Sequence, residues 1–173
     1  MSEQHSGAGV RQYSGNYCSQ RQFYRQQRRY PGGICKLGIL QAKGEYLLFV
    51  DCDDVLLPGA ISALLQKAQQ TGADIVQGGW QYLDGDGKFG AAQRFAEHIY
   101  EKRTAYDCLD LPGTPWAKLY RRSLFDEIRF PAGYTCFEDA VIHFLIFPAA
   151  EKIASISQVV YAWRRNANGI TFT

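Results

Sequence analysis

Four residues, Asp51-Cys52-Asp53-Asp54, close a short apolar run, Glu45-Tyr46-Leu47-Leu48-Phe49-Val50. Side chains at i and i+2 of a strand share a face, so Asp51 and Asp53 at a strand's carboxyl end can point together into the crevice where open α/β sheets bind ligands. Two carboxylates so placed suit a hard divalent cation. Mg²⁺ or Mn²⁺ takes one or two carboxylates with substrate phosphate oxygens and keeps water in its other positions. Read alone, the same acids fit a helix cap or a solvated turn better. Arg164 and Arg165 follow the last expected strand, where arginine can grip a diphosphate by charge-assisted hydrogen bonds or stand in a solvated basic turn. A second acidic pair, Glu138-Asp139, precedes an apolar segment, where carboxylates favour a first helical turn. His98 and His143 have no ligand-like spacing, and His143, inside an apolar helical run, reads as a packed core histidine.

These groups need elements to hold them. Residues 45–50 read as a strand buried on both faces of a parallel sheet. Pro58 suits a first helical turn, Ile61, Leu64, Leu65 and Ala68 recur at helical spacing, and Gly72 supplies a stop. Residues 74–80 read as a second strand, completing a strand–helix–strand unit, and Asp84-Gly85-Asp86-Gly87 is a turn that can close a hairpin. Residues 91–112 carry no clear period, and Trp116–Tyr120 fits a strand or a helix start ahead of a short helix at Ser123–Phe125. Ala140–Phe147 is expected to be a buried helix ended by Pro148, with a closing strand over Ile153–Tyr161.

Several blocks, in order, resemble family 2 glycosyltransferases. Lys43-Gly44-Glu45-Tyr46 through Asp54 is similar to that family's acidic segment, and Gly72-Ala73-Asp74-Ile75-Val76 to its next strand. Lys118-Leu119-Tyr120-Arg121-Arg122-Ser123-Leu124-Phe125, Phe137-Glu138-Asp139 and Tyr161-Ala162-Trp163-Arg164-Arg165 resemble its later motifs, so the likeness covers residues 34–173. The resemblance implies an α/β, GT-A-like (Rossmann-like) mostly parallel sheet flanked by helices, its N-terminal nucleotide-binding strands incomplete. It also implies an inverting glycosyltransferase moving a sugar from a nucleoside-diphosphate donor, UDP-linked by preference, to a saccharide or lipid-linked hydroxyl. On that reading Asp51 and Asp53 hold Mn²⁺ or Mg²⁺ that stabilises the leaving diphosphate, Asp54 orients the site, and Arg164 and Arg165 face the diphosphate. Asp139 is the general base, with Glu138 the neighbouring alternative. Trp116 and Tyr134 flank the acceptor side, although aromatic residues are more often core. Lys118 also admits a purely structural role.

The strand end Phe49–Leu56 resembles, in addition, the nucleophile motif of haloacid-dehalogenase-type phosphohydrolases, with Asp51 attacking phosphorus and Asp53 as general acid. The later blocks have no place in that reading. A third reading is a catalytically defective, truncated transferase, because no first strand or nucleoside-binding turn is found ahead of Asp51.

The chain has 173 residues with 46% hydrophobic and 21% charged, enough for one buried core and far from a disordered or fibrous composition. Its net charge of +2 implies neither nucleic acid nor an anionic membrane, though five arginines against Glu3 place +4 within residues 1–33 and −2 in the rest. That Arg/Gln-rich segment reads as a loose arm ahead of a 34–173 α/β domain. Its arginines and tyrosines admit nucleic-acid contacts, which its lack of pattern does not favour. The five cysteines form no CxxC pair and are odd in number, which fits a reducing cytoplasm. Together with the absence of a signal-like start, this points to a cytoplasmic protein, with peripheral contact at the inner membrane face compatible with a lipid-linked acceptor.

Overall fold

The computed structural model describes residues 38–51, 53–101, 110–128 and 138–165. Within them, one sheet contains β1 (Tyr46–Leu48), β2 (Val55–Leu56), β3 (Ile75–Leu83), β4 (Phe89–Gln93), β5 (His98–Glu101), β6 (Lys118–Arg121) and β7 (Lys152–Arg164). Helix α1 (Ala60–Thr71) precedes β3, and α2 (Glu138–Ala149) precedes β7. The strand order is β1-β6-β3-β7-β2, with β4 pairing β3 and β5 pairing β7.

The α/β layering expected from the sequence is present, but the pairing is mixed rather than mostly parallel. β3 and β7 form a parallel ladder, whereas β6 lies antiparallel to both β1 and β3, and β2 antiparallel to β7. The α1 crossover brings β1 and β3 into the same direction with one strand position between them. β6 fills that position in the opposite sense. Its end is tied down by Arg121, whose guanidinium pairs with Asp74 Oδ1 at 2.8 Å and Glu45 Oε1 at 2.9 Å.

The central strands alternate between two cores. Ile75, Tyr120 and Ile153 join Phe125, Ile146 and Phe147 on the α2 face, while Val76, Leu119 and Ala154 join Ala60, Leu64 and Ala68 on the α1 face. Each fully buried aliphatic side chain contributes about 1.5–3 kcal/mol, so these strands are held from both faces. Helix α1 ends where expected: Gly72 is left-handed at φ 70° and its N–H reaches Ala68 O at 2.8 Å. The hairpin also forms, with Asp84 Oδ1 accepting Asp86 N–H at 3.0 Å and Lys88 N–H at 2.7 Å.

Helix α2 departs from its expectation as a buried helix. Ile146 and Phe147 are fully buried, but Phe144 and Leu145 are 54% and 49% exposed, because the sheet accepts only one stripe of an all-round apolar helix. Pro148 lies inside the last turn instead of ending it.

His143 is the packed histidine expected. Its ring is 3.9 Å from that of Phe147, and burial, reinforced by the Lys118 charge, pushes its pKa down to about 4. An unfolded histidine titrates near 6.5, so as pH falls the unfolded chain binds the proton first. Stability present above pH 6.5 is therefore expected to decline between pH 6.5 and 4, by roughly 2–3 kcal/mol at pH 4.5. Urea midpoints measured across this range check it, and His143→Leu should flatten the dependence.

Candidate active site

Strand β1 stops at Leu48, and Phe49 makes an isolated parallel bridge to Trp116. The chain then turns: Asp54 N–H bonds back to Asp51 C=O at 3.1 Å before β2 pairs with β7 through Val55–Ala162 and Leu56–Tyr161. Asp51 and Asp53 thus stand on a tight turn, not on a continuing strand, and strand alternation does not set their common direction. The local hydrogen bond replaces the sheet ladder that alternation requires.

The far end of β7 holds this turn. The Tyr161 hydroxyl donates to Asp54 Oδ2 at 2.6 Å and accepts Asp51 N–H at 3.1 Å. Arg164 N–H donates to Asp54 Oδ1 at 2.7 Å, and Arg164 Nε donates to Asp53 C=O at 2.8 Å. Both oxygens of Asp54 are therefore engaged within the fold. Burial raises the Asp54 pKa, while the Arg164 N–H and the Tyr161 hydroxyl act against that shift. Burial, with the Asp51 charge next, pushes the Tyr161 phenol far above its ordinary range, so it stays a neutral donor. Tyr161 is fully buried, its ring stacked on Trp116 at 4.9 Å and 6°.

Asp51 is exposed and Asp53 partly so. Two carboxylates on this turn are a donor set of the kind that fits Mg²⁺ or Mn²⁺ completed by phosphate oxygens and water. Among the described residues no group of three or more His, Cys, Asp or Glu is clustered as a self-sufficient metal cage.

The other sequence-derived candidates divide. Arg164 joins the acidic turn. Arg165, the first residue past β7, does not: its N–H bonds to Leu83 O at 2.9 Å and its guanidinium packs 5.1 Å from the Tyr82 ring. Trp116 is 7% exposed, with one face on Tyr161 and its ring edge-to-face with Trp80, so it is a core ring and not an open platform. Lys118 is fully buried, its ammonium donating to Pro112 O and Thr114 O, and so braces the loop ahead of β6. Glu138 and Asp139 occupy the first turn of α2, their side chains outside what is described. Tyr134, the five cysteines and residues 1–33 lie outside the described residues.

Two contributors were not singled out from sequence. Tyr161 opens the last matching block, which was its one signal. Asp74 accepts from Arg121, Glu151 N–H and Lys152 N–H, locking the starts of β3 and β7 to the end of β6.

Comparison with known proteins places the chain among its relatives. The family model described as Glycosyl transferase family 2 matches residues 2–129. The chain is 29% identical over 149 residues to the glycosyltransferase GlyG of Streptococcus pneumoniae, covering 79% of this chain and 49% of that one. It is 28% identical to EpsJ of Bacillus subtilis, described as an uncharacterized glycosyltransferase, covering 78% and 42%. Among solved structures, S. aureus TarS 1-349 in complex with UDP-GlcNAc superposes with a TM-score of 0.65 at 20% identity, covering 88% of this chain and 49% of that one. The chain spans about half the length, or less, of the relatives it matches.

Proposed function

The chain belongs to glycosyl transferase family 2, and from that premise we propose that it takes part in sugar transfer from a nucleoside-diphosphate donor to a saccharide or lipid-linked hydroxyl, with inversion at the anomeric carbon. The phosphohydrolase reading gives way to this assignment. The observation that carries the proposal is the held acidic turn: Tyr161 and Arg164 fix Asp54, with Asp51 exposed and Asp53 partly exposed beside it.

In this reading Asp51 and Asp53 would hold Mn²⁺ or Mg²⁺. The metal, when bound, supplies Lewis-acid stabilisation of the leaving diphosphate. Arg164 sets the turn through Asp53 C=O and adds positive charge beside it. Asp139, in the first turn of α2, accepts the proton of the acceptor hydroxyl, and the matching Phe137-Glu138-Asp139 block supports that role. The UDP-GlcNAc bound to TarS favours a UDP-sugar donor. The same reading places the work in cell-surface polysaccharide or lipopolysaccharide assembly at the cytoplasmic side of the membrane.

Calorimetric titration with UDP and UDP-GlcNAc in Mn²⁺ tests the proposal. Saturable binding that EDTA removes is expected, and no heat from either nucleotide would overturn it. Asp139→Asn should leave nucleotide affinity within about twofold and lower UDP release by roughly 10²–10⁴, the range a general base supplies. A loss of affinity equal to the loss of turnover would remove Asp139 from that role.

A further inference from the structure

We propose that Tyr161 is a positioning residue for the acidic turn, acting as a buried clamp that sets the direction of Asp51 and Asp53 from the far end of β7. The inference rests on the reading of that turn as the nucleotide-diphosphate site.

Three observations converge on this side chain. Its hydroxyl makes two bonds to the turn, donating to Asp54 Oδ2 at 2.6 Å and accepting Asp51 N–H at 3.1 Å, so one oxygen fixes both ends of the four-residue turn. The ring cannot swing away, because it is fully buried and stacked flat on Trp116. Its backbone is held as well: Tyr161 pairs with Leu56 in β2 and with Trp80 in β3. The turn therefore inherits the rigidity of the central sheet. Arg164, three residues further along β7, completes the grip by holding Asp54 Oδ1 and Asp53 C=O.

A metal site loses affinity when its carboxylates must be ordered on binding instead of beforehand, and supporting hydrogen bonds outside the ligand set are commonly worth tenfold or more in metal affinity. Tyr161→Phe keeps the ring and its stacking but deletes both bonds. It is expected to weaken Mn²⁺-UDP binding by roughly tenfold in calorimetry. Amide hydrogen exchange at Asp51 should accelerate by about the same factor, while exchange in β6 stays as in the wild type.

Ile146→Val, in the core on the other face of the sheet, serves as the stability control, since a loss of global stability alone moves neither the Asp51 amide selectively nor the Mn²⁺-UDP affinity. Unchanged affinity together with unchanged exchange at Asp51 in Tyr161→Phe would overturn the clamp. If wild-type protein binds no Mn²⁺-UDP, the proposed function fails, and the exchange comparison still decides whether Tyr161 holds the turn. Should Tyr161→Phe not fold, Asp54→Ala carries the same measurements, because it removes the acceptor that the Tyr161 hydroxyl and Arg164 N–H share on the turn. The same weakening and the same local exchange are expected, and their absence refutes the clamp.

Discussion

Asp53→Asn is expected to remove Mn²⁺-dependent UDP binding while leaving the fold intact. A carboxylate near a divalent ion contributes several kcal/mol even at an effective dielectric constant of about 20, and a neutral amide forfeits most of it. Retaining half of that interaction still implies at least about a hundredfold loss of affinity. Stability should barely move, because the contact that anchors residue 53 runs from Arg164 Nε to its main-chain carbonyl, which asparagine keeps. Removing the charge also relieves the repulsion that Asp53 exerts on the half-buried Asp54. The urea-derived stability is thus expected within about 0.5 kcal/mol of wild type. Calorimetry and urea unfolding on one preparation check both halves, and equal affinity in the two proteins would remove Asp53 from the metal site.

A large stability effect is expected at Gly79, in the middle of β3. A Cβ there would stand 2.8 Å from Gln93 O, 3.1 Å from Gln158 O and 3.3 Å from Val159 Cα. All three are backbone atoms of flanking strands, so no rotamer change makes room. The site coincides with register shifts between β3 and β7 on both sides of Gly79, an irregularity at which a strand glycine is commonly found. Overpacking commonly costs about 1–3 kcal/mol, and a clash with fixed backbone belongs at or above the top of that range. Gly79→Ala should therefore lower the thermal midpoint by roughly 6–12 °C. Gly85→Ala, in the hairpin turn with nothing within 4 Å of the added atom, should stay within about 1 kcal/mol. Similar midpoints for the two variants would refute the steric account.

Local signals were legible where local physics decided. Gly72 stopped α1, the Asp84–Gly87 turn closed its hairpin, and β3 and β7 stood where strands were read, whereas the run at 45–50, expected to be buried on both faces of a parallel sheet, forms the partly buried β1, antiparallel to β6. β4 was not legible because all five of its residues are exposed, so no burial pattern separates it from a loop. β5, exposed at three of its four residues, was lost for the same reason. At the site, residue types were legible and geometry was not. Asp51 and Asp53 were named from spacing, but their turn depends on Tyr161 and Arg164, more than 100 positions away. Arg164 and Arg165 looked equivalent in sequence, and only their tertiary partners separate them: Asp53 C=O for the first, Leu83 O and the Tyr82 ring for the second.

β7 pairs with β2, β3 and β5 and grips the acidic turn, although it lies last among the described elements. On the ribosome, Asp51–Asp54 emerge more than 100 residues before Tyr161 and Arg164, and domains settle only once their long-range partners are available. The nascent chain is accordingly expected to carry its acids in an unshaped segment through most of synthesis, acquiring a nucleotide-competent site only when β7 docks. Stalled nascent chains ending before Tyr161 should fail to retain on immobilised UDP with Mn²⁺, whereas chains extended past Arg165 and clear of the exit tunnel should be retained.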